Sequence, residues 1–118
     1  MNKAKFYTML RNDQPGCNHS YFSCTCSYKP VLVDGYNIDG IWGTYRVDDT
    51  WRLINYSTGL QVGNSCCTRK AVEELYKRVK NTRMLEKHIE KYPDDFQEHV
   101  DTFNTLLAEM GVQQYTQK

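Results

Sequence analysis

No stretch of this sequence is apolar for long enough to serve as a secretory signal or to cross a membrane. Phe6-Tyr7-Thr8-Met9-Leu10 is preceded by Lys3 and Lys5 and followed by Arg11-Asn12-Asp13, whereas a spanning helix takes about 20 apolar residues. The expected location is the cytoplasm, away from membranes. Phenylalanine is scarce, four residues against nine tyrosines, so the aromatic content is unusually polar. Motifs that carry chemistry are also missing. There is no G-x-S-x-G nucleophile elbow, no G-x-x-x-x-G-K-[S/T] phosphate loop, no H-E-x-x-H zinc helix and no H-x-E with P-C-x-x-C deaminase pattern, the arrangements by which those reaction classes place a nucleophile, a phosphate cradle or an activated water. The expectation is a binding protein and not an enzyme. No internal repeat or low-complexity tract is present, and 118 residues with 40% hydrophobic content suit one compact domain spanning residues 1–118.

Five cysteines are present, an odd number that a secreted disulfide framework would not leave. Cys17, His19, Cys24 and Cys26 fall within ten residues, and Cys66-Cys67 lies further on. Zinc takes four such ligands in a tetrahedron, and the favoured set is Cys17, Cys24 and Cys26 with one of Cys66 or Cys67 as the fourth. His19 is the reserve ligand. Four protein ligands would close the coordination sphere and make the zinc structural; an open position would be needed for a zinc hydrolase. C-x-C spacing lacks the tight turn of a C-x-x-C knuckle, so two other readings stand beside zinc: buried core thiols, and a redox or disulfide role.

The pattern of apolar residues predicts an α+β fold, with an N-terminal antiparallel β-sheet of three to five strands followed by two or three C-terminal α-helices, stapled by the zinc ion. Lys5–Leu10 reads as a first strand. Tyr21–Tyr28 reads as a second that Pro30 closes, and Val31–Val33, Gly40–Val47, Trp51–Tyr56 and Leu60–Val62 follow, separated by Asp34-Gly35, Asp48-Asp49 and Thr58-Gly59. Alternation of Trp51 and Leu53 with Arg52 and Ile54 predicts one better-buried face. The β-rich part covers 1–65 and the helical part 68–111. In the latter, Thr68 is an N-cap and Val72, Leu75, Tyr76 and Val79 form one helical stripe. The stripe loses phase near Asn81-Thr82, and Leu85, His88, Ile89 and Tyr92 begin another. Pro93-Asp94-Asp95 signals a new helix with Phe96, Val100, Phe103, Leu107 and Met110 on its apolar side and Gly111 as its stop. The tail after it is expected to fray.

Charge is divided along the chain. Residues 1–83 carry twelve Lys/Arg against seven Asp/Glu, a net of +5, and residues 84–118 carry three against seven, a net of −4. Arg69, Lys70, Lys77, Arg78, Lys80 and Arg83 could face phosphates or an acidic protein. The plainer reading is a solvated helix face with Glu73–Lys77 and Glu74–Arg78 pairs. Glu86, Glu90, Asp94, Asp95, Glu98 and Asp101 could face a basic groove as a mimic of nucleic acid. His88 and His99 read as ordinary helix residues.

The run Asp49-Thr50-Trp51-Arg52-Leu53-Ile54-Asn55-Tyr56-Ser57-Thr58-Gly59-Leu60-Gln61-Val62, continuing at Thr68-Arg69-Lys70-Ala71-Val72, resembles small bacteriophage proteins in which a Trp strand, a Thr-Gly turn and a Thr-Arg-Lys helix start follow one another. With its size, polar aromatics, cysteine cluster and missing catalytic motifs, the chain is similar to phage-encoded anti-CRISPR proteins acting on type II effectors, a group that includes metal-stabilised members. The resemblance implies an inhibitor in the host-cell cytoplasm that binds a CRISPR RNA-guided nuclease and blocks target DNA binding or cleavage by obstruction. It transfers no binding residue. The alternative is a small zinc-stapled regulator that binds nucleic acid directly through the basic helix.

Overall fold

The structure, a computed structural model, describes residues 2–12 and 27–112. Four antiparallel strands, β1 (Asn2–Asn12), β2 (Ser27–Asn37), β3 (Trp42–Val47) and β4 (Thr50–Asn55), form one sheet in the order β1-β2-β3-β4. Three helices follow, α1 (Arg69–Asn81), α2 (Met84–Lys91) and α3 (Pro93–Glu109). This is the expected α+β arrangement of a sheet followed by helices. Among the described residues no helix is long and apolar enough to cross a membrane.

Two strand boundaries differ from the sequence reading. Pro30 does not close a strand but lies inside β2, opposite Met9. The reason is visible in the ladder: the Met9 N–H donates to the Gly59 carbonyl at 2.8 Å, so Met9 turns its backbone away from β2. Its antiparallel partner Pro30 therefore also faces outward, where the absent N–H breaks no ladder bond. Asp34-Gly35, read as a separator, also lies within β2, paired with Lys5 and Ala4. The predicted strand Tyr21–Tyr28 reaches the described residues only from Ser27 onward.

β2 pairs with β3 only at Tyr36↔Thr44 and Asn37↔Gly43, whereas β3 and β4 pair along their whole length. The two-residue loop between them is Asp48-Asp49, with φ of 49° and 63°, the left-handed pair that matches strand twist in a tight hairpin. Thr50 Oγ1 donates to the Val47 carbonyl at 2.8 Å and closes that turn. The predicted strand at Leu60–Val62 is present as an irregular run along the far side of β4. Asn55 N–H donates to Leu60 O, Val62 N–H to Leu53 O, and Trp51 and Cys66 exchange both backbone bonds.

The sheet curls until its first strand meets the turn that follows its last. Besides Met9, the Thr8 hydroxyl donates to the same Gly59 carbonyl at 2.8 Å. Inside this curl Phe6, Tyr45, Ile54 and Tyr56 form one buried cluster, with Phe6 edge-on to Tyr45 at 6.2 Å and against Tyr56 at 5.3 Å. Trp42, Leu53, Val72 and Val79 form a second cluster between the other sheet face and α1. Leu53 and Ile54 are thus 0% and 1% exposed, and the expectation of one better-buried face of β4 does not hold. Curling gives the sheet an interior of its own while α1 covers its outside.

The helix signals behave as read. Thr68 Oγ1 accepts from Ala71 N–H at 3.0 Å as the N-cap of α1, and the helix stops at Asn81, after which Arg83 adopts φ 53°. Pro93 occupies the first turn of α3. Gly111, at φ 73°, ends that region with its N–H on the Ala108 carbonyl. Phe103 and Leu107 are buried, while α2 has no fully buried residue.

Candidate binding surfaces

Of the predicted zinc ligands, Cys17, Cys24 and Cys26, and the reserve His19, lie outside the described residues. Cys66 and Cys67 sit at the corner that leads into α1. Cys66 is half-buried against Trp51 and its neighbours, and its thiol donates to the Asn64 carbonyl at 3.6 Å; Cys67 is exposed. Desolvation pushes the Cys66 thiol pKa up, the Cys67 sulfur adds to that, and the Arg78 guanidinium opposes it. Among the described residues no three His, Cys, Asp or Glu side chains could hold a metal ion, so zinc at this corner would draw its other ligands from residues 13–26.

The basic surface is carried by α1. Val72, Leu75, Tyr76 and Val79 turn its apolar stripe onto the sheet, which leaves Lys70, Lys77, Arg78 and Lys80 exposed. Neither expected i,i+4 pair forms. Glu73 turns back to Arg69 at 3.5 Å instead, and Arg69 is held there because its guanidinium lies 4.9 Å over the Tyr36 ring. Tyr36 in turn rests 6.1 Å from Trp51, so residues from β2, β4 and α1 make one aromatic-cation junction.

The other end of α1 is fixed through the loop after β2. Asn37 Oδ1 accepts from Gly40 N–H and from the Tyr56 hydroxyl. Asp39 Oδ1 accepts from Ile41 and Trp42 N–H, and its Oδ2 accepts from the Tyr76 hydroxyl at 2.7 Å. Burial, then the hydrogen bond to Asp39 and its charge, push the Tyr76 pKa up to about 12. The unfolded chain therefore loses this proton first, near pH 10, so the contribution of the phenol is complete below that pH and fades as pH rises toward 12. Tyr76→Phe is expected to flatten that part of the stability profile; equal alkaline slopes for parent and variant in urea titrations between pH 9 and 12 would refute the linkage.

The acidic surface is α3 with its neighbour α2. α3 holds Asp94, Asp95, Glu98, Asp101 and Glu109 and no Lys or Arg in 17 residues. Asp94, Glu98 and Asp101 fall on one exposed side, at intervals of four and three residues, and line an open groove of 470 Å³ with Gln97, Thr102 and Thr105. Gln97 donates to Asp101 at 2.9 Å and fixes that carboxylate. Asp95 points to the α2 side, where one of its oxygens lies 3.8 Å from His88 Nε2 and 3.7 Å from His99 Nε2. The sequence reading missed this convergence. Asp95 and His99 were legible as an i,i+4 pair, but His88 joins them only because α2 folds back on α3. Comparison with protein-family models, curated proteins and solved structures found no match.

Proposed function

We propose that this chain is a non-catalytic protein inhibitor that occupies a basic, nucleic-acid-binding surface of a partner enzyme, the partner being the type II RNA-guided nuclease that the sequence resemblance implies. The observation that carries the reading is the all-acidic character of α3: five carboxylates, no Lys or Arg, and three of the carboxylates aligned along an exposed groove. A rigid row of anions meets a groove built for phosphates by charge complementarity, which favours fast association and excludes DNA from the same surface. Occupation at one-to-one stoichiometry suffices, since the nuclease takes up and clamps its target through backbone contacts.

The test is target cleavage by guide-loaded nuclease with increasing amounts of the purified chain. Cleavage is expected to stop at equimolar chain, and Asp94→Lys/Glu98→Lys/Asp101→Lys is expected to raise the half-inhibiting concentration about 30-fold or more, the factor that about 2 kcal/mol carries. All three positions are exposed, so the loss of stability should be confined to the helix-start charge at Asp94 and the Gln97–Asp101 bond, about 1–2 kcal/mol, and the variant should remain folded. Undiminished cleavage at saturating chain, or inhibition by the variant equal to the parent, overturns the proposal.

Zinc remains part of the proposal as a structural tie. β1 ends at Asn12 and β2 begins at Ser27, on either side of the cysteine-bearing segment, and nearby Leu10 and Tyr28 share a groove with Arg52, Leu60 and Gln61. That groove borders the run that leads on to Cys66. Native mass spectrometry is expected to show one zinc per chain that a chelator removes, with loss of thermal stability. A bare-chain mass with all five thiols free sinks the tie without touching the inhibitor reading.

A further inference from the structure

We propose that the solvent face of α1 docks on the phosphate backbones of duplex DNA, a contact separate from the acidic surface of α3. The plainer reading of this helix is a solvated face on which Glu73 pairs with Lys77 and Glu74 with Arg78. The structure does not do this: Glu73 is engaged by Arg69, and among the described residues Lys70, Lys77, Arg78, Lys80 and Arg83 have no ion-pair partner. All five are exposed. Glu74 is the one carboxylate left among them.

Helix geometry places these cations in a usable pattern. Lys70 and Lys77 are seven residues apart, about two turns, and stand one above the other on the crest. Arg78 lies one residue step, about 100°, to one side, and Lys80 about 60° to the other. The Lys80 flank is fixed by contact as well, its ammonium lying 5.9 Å over the Tyr76 ring. A crest with cations on both flanks suits a channel with phosphates on both walls. A helix of about 10–12 Å diameter fills a major groove about 12 Å wide, with each flank turned to one backbone. The buried stripe of Val72, Leu75, Tyr76 and Val79 holds the helix on the sheet, so it presents this face without rearrangement. No side chain here is committed to a base edge, and the contact is expected to be indifferent to sequence.

The experiment uses the full chain alone, without nuclease, titrated against a fluorescently labelled mixed-sequence 20-base-pair duplex over a series of salt concentrations. Each phosphate neutralised contributes a slope of about −0.9 to log K against log salt, so four contacts give about −3.6. Lys70→Gln/Lys77→Gln/Arg78→Gln/Lys80→Gln, at exposed positions, is expected to keep the parent's melting temperature and to lose most of that slope. Asp94→Lys/Glu98→Lys/Asp101→Lys should bind duplex at least as well as the parent, which separates this surface from the inhibitory one. The proposal is overturned by absence of binding at low salt, by a parent slope retained in the quadruple variant, or by tighter binding to a single strand of the same length than to the duplex. Because the nuclease takes no part, failure of the inhibitor reading leaves this result intact, and the converse holds as well.

Discussion

Gly35→Ala is expected to cost about 3 kcal/mol or more, at or beyond the upper end of ordinary overpacking. A Cβ built on Gly35 falls 2.3 Å from the Thr44 carbonyl oxygen and 3.0 Å from both Phe6 Cε1 and Tyr45 Cβ. The first of these neighbours is backbone, in the strand beside Gly35, and cannot rotate aside. Relief would require β2 and β3 to part where only two residue pairs join them, and the two halves of the sheet would separate. Gly43 is a useful comparison, since its added Cβ meets Tyr56 side-chain atoms at 2.6 and 2.8 Å. A ring can tilt, so Gly43→Ala should cost less than Gly35→Ala. Gly111 provides the other control: nothing lies within 4 Å of its Cβ position, leaving only the cost of a left-handed φ, about 1–2 kcal/mol. Urea unfolding followed by circular dichroism should rank the three as Gly35 first. Equal midpoints for Gly35→Ala and the parent would show that the sheet does not close as tightly as described.

Phe103→Ala is expected to cost about 3–5 kcal/mol, a large part of the about 5–15 kcal/mol available to a domain. Phe103 is 1% exposed and its ring lies directly on Gly59, where an added Cβ would stand 2.7 Å from Cε1. Gly59 is also where the sheet closes, through the bonds from Met9 N–H and Thr8 Oγ1 to its carbonyl. Removing the ring therefore empties the contact between α3 and the sheet and releases the closure point together. The amide of Met9 should exchange with solvent faster in the variant, while the amide of Trp51, paired with Cys66 on the other side of β4, should be much less affected. Phe103→Leu, which retains most of the volume, should recover most of the loss. A loss below about 1 kcal/mol for Phe103→Ala would place α3 outside the cooperative core.

The helical half was read with the greatest accuracy because its signals are local. Thr68, the phase break at Asn81-Thr82, Pro93 and Gly111 each act through their own turn of chain, and each stands where its capping or stopping chemistry required. The strand half was less legible. Pro30 looked like a terminator because sequence alone does not tell which edge of a strand a residue faces, and Gly35 looked like a turn because nothing nearby in sequence announces Thr44 and Phe6 above it. Among the surface residues, the acidic character of α3 was plain from composition. The engagement of Glu73 by Arg69, which leaves Lys70, Lys77, Arg78 and Lys80 without an ion-pair partner among the described residues, depends on Tyr36, thirty-three positions earlier.

By itself, then, the sequence determined that strands come first and helices after, where the first helix starts and loses its phase and where the last starts and stops, and on which segments positive and negative charge accumulate. These follow from periodicity, capping and composition, which act within a few residues. Tertiary structure alone decided that the sheet curls back on the Gly59 turn and buries both faces of β4, that Asp95 receives two histidines from two helices, and that Glu73 is taken by Arg69, so that among the described residues Lys70, Lys77, Arg78 and Lys80 have no carboxylate partner. Each of those outcomes is a contact between residues distant in sequence, governed by packing and by competition for partners.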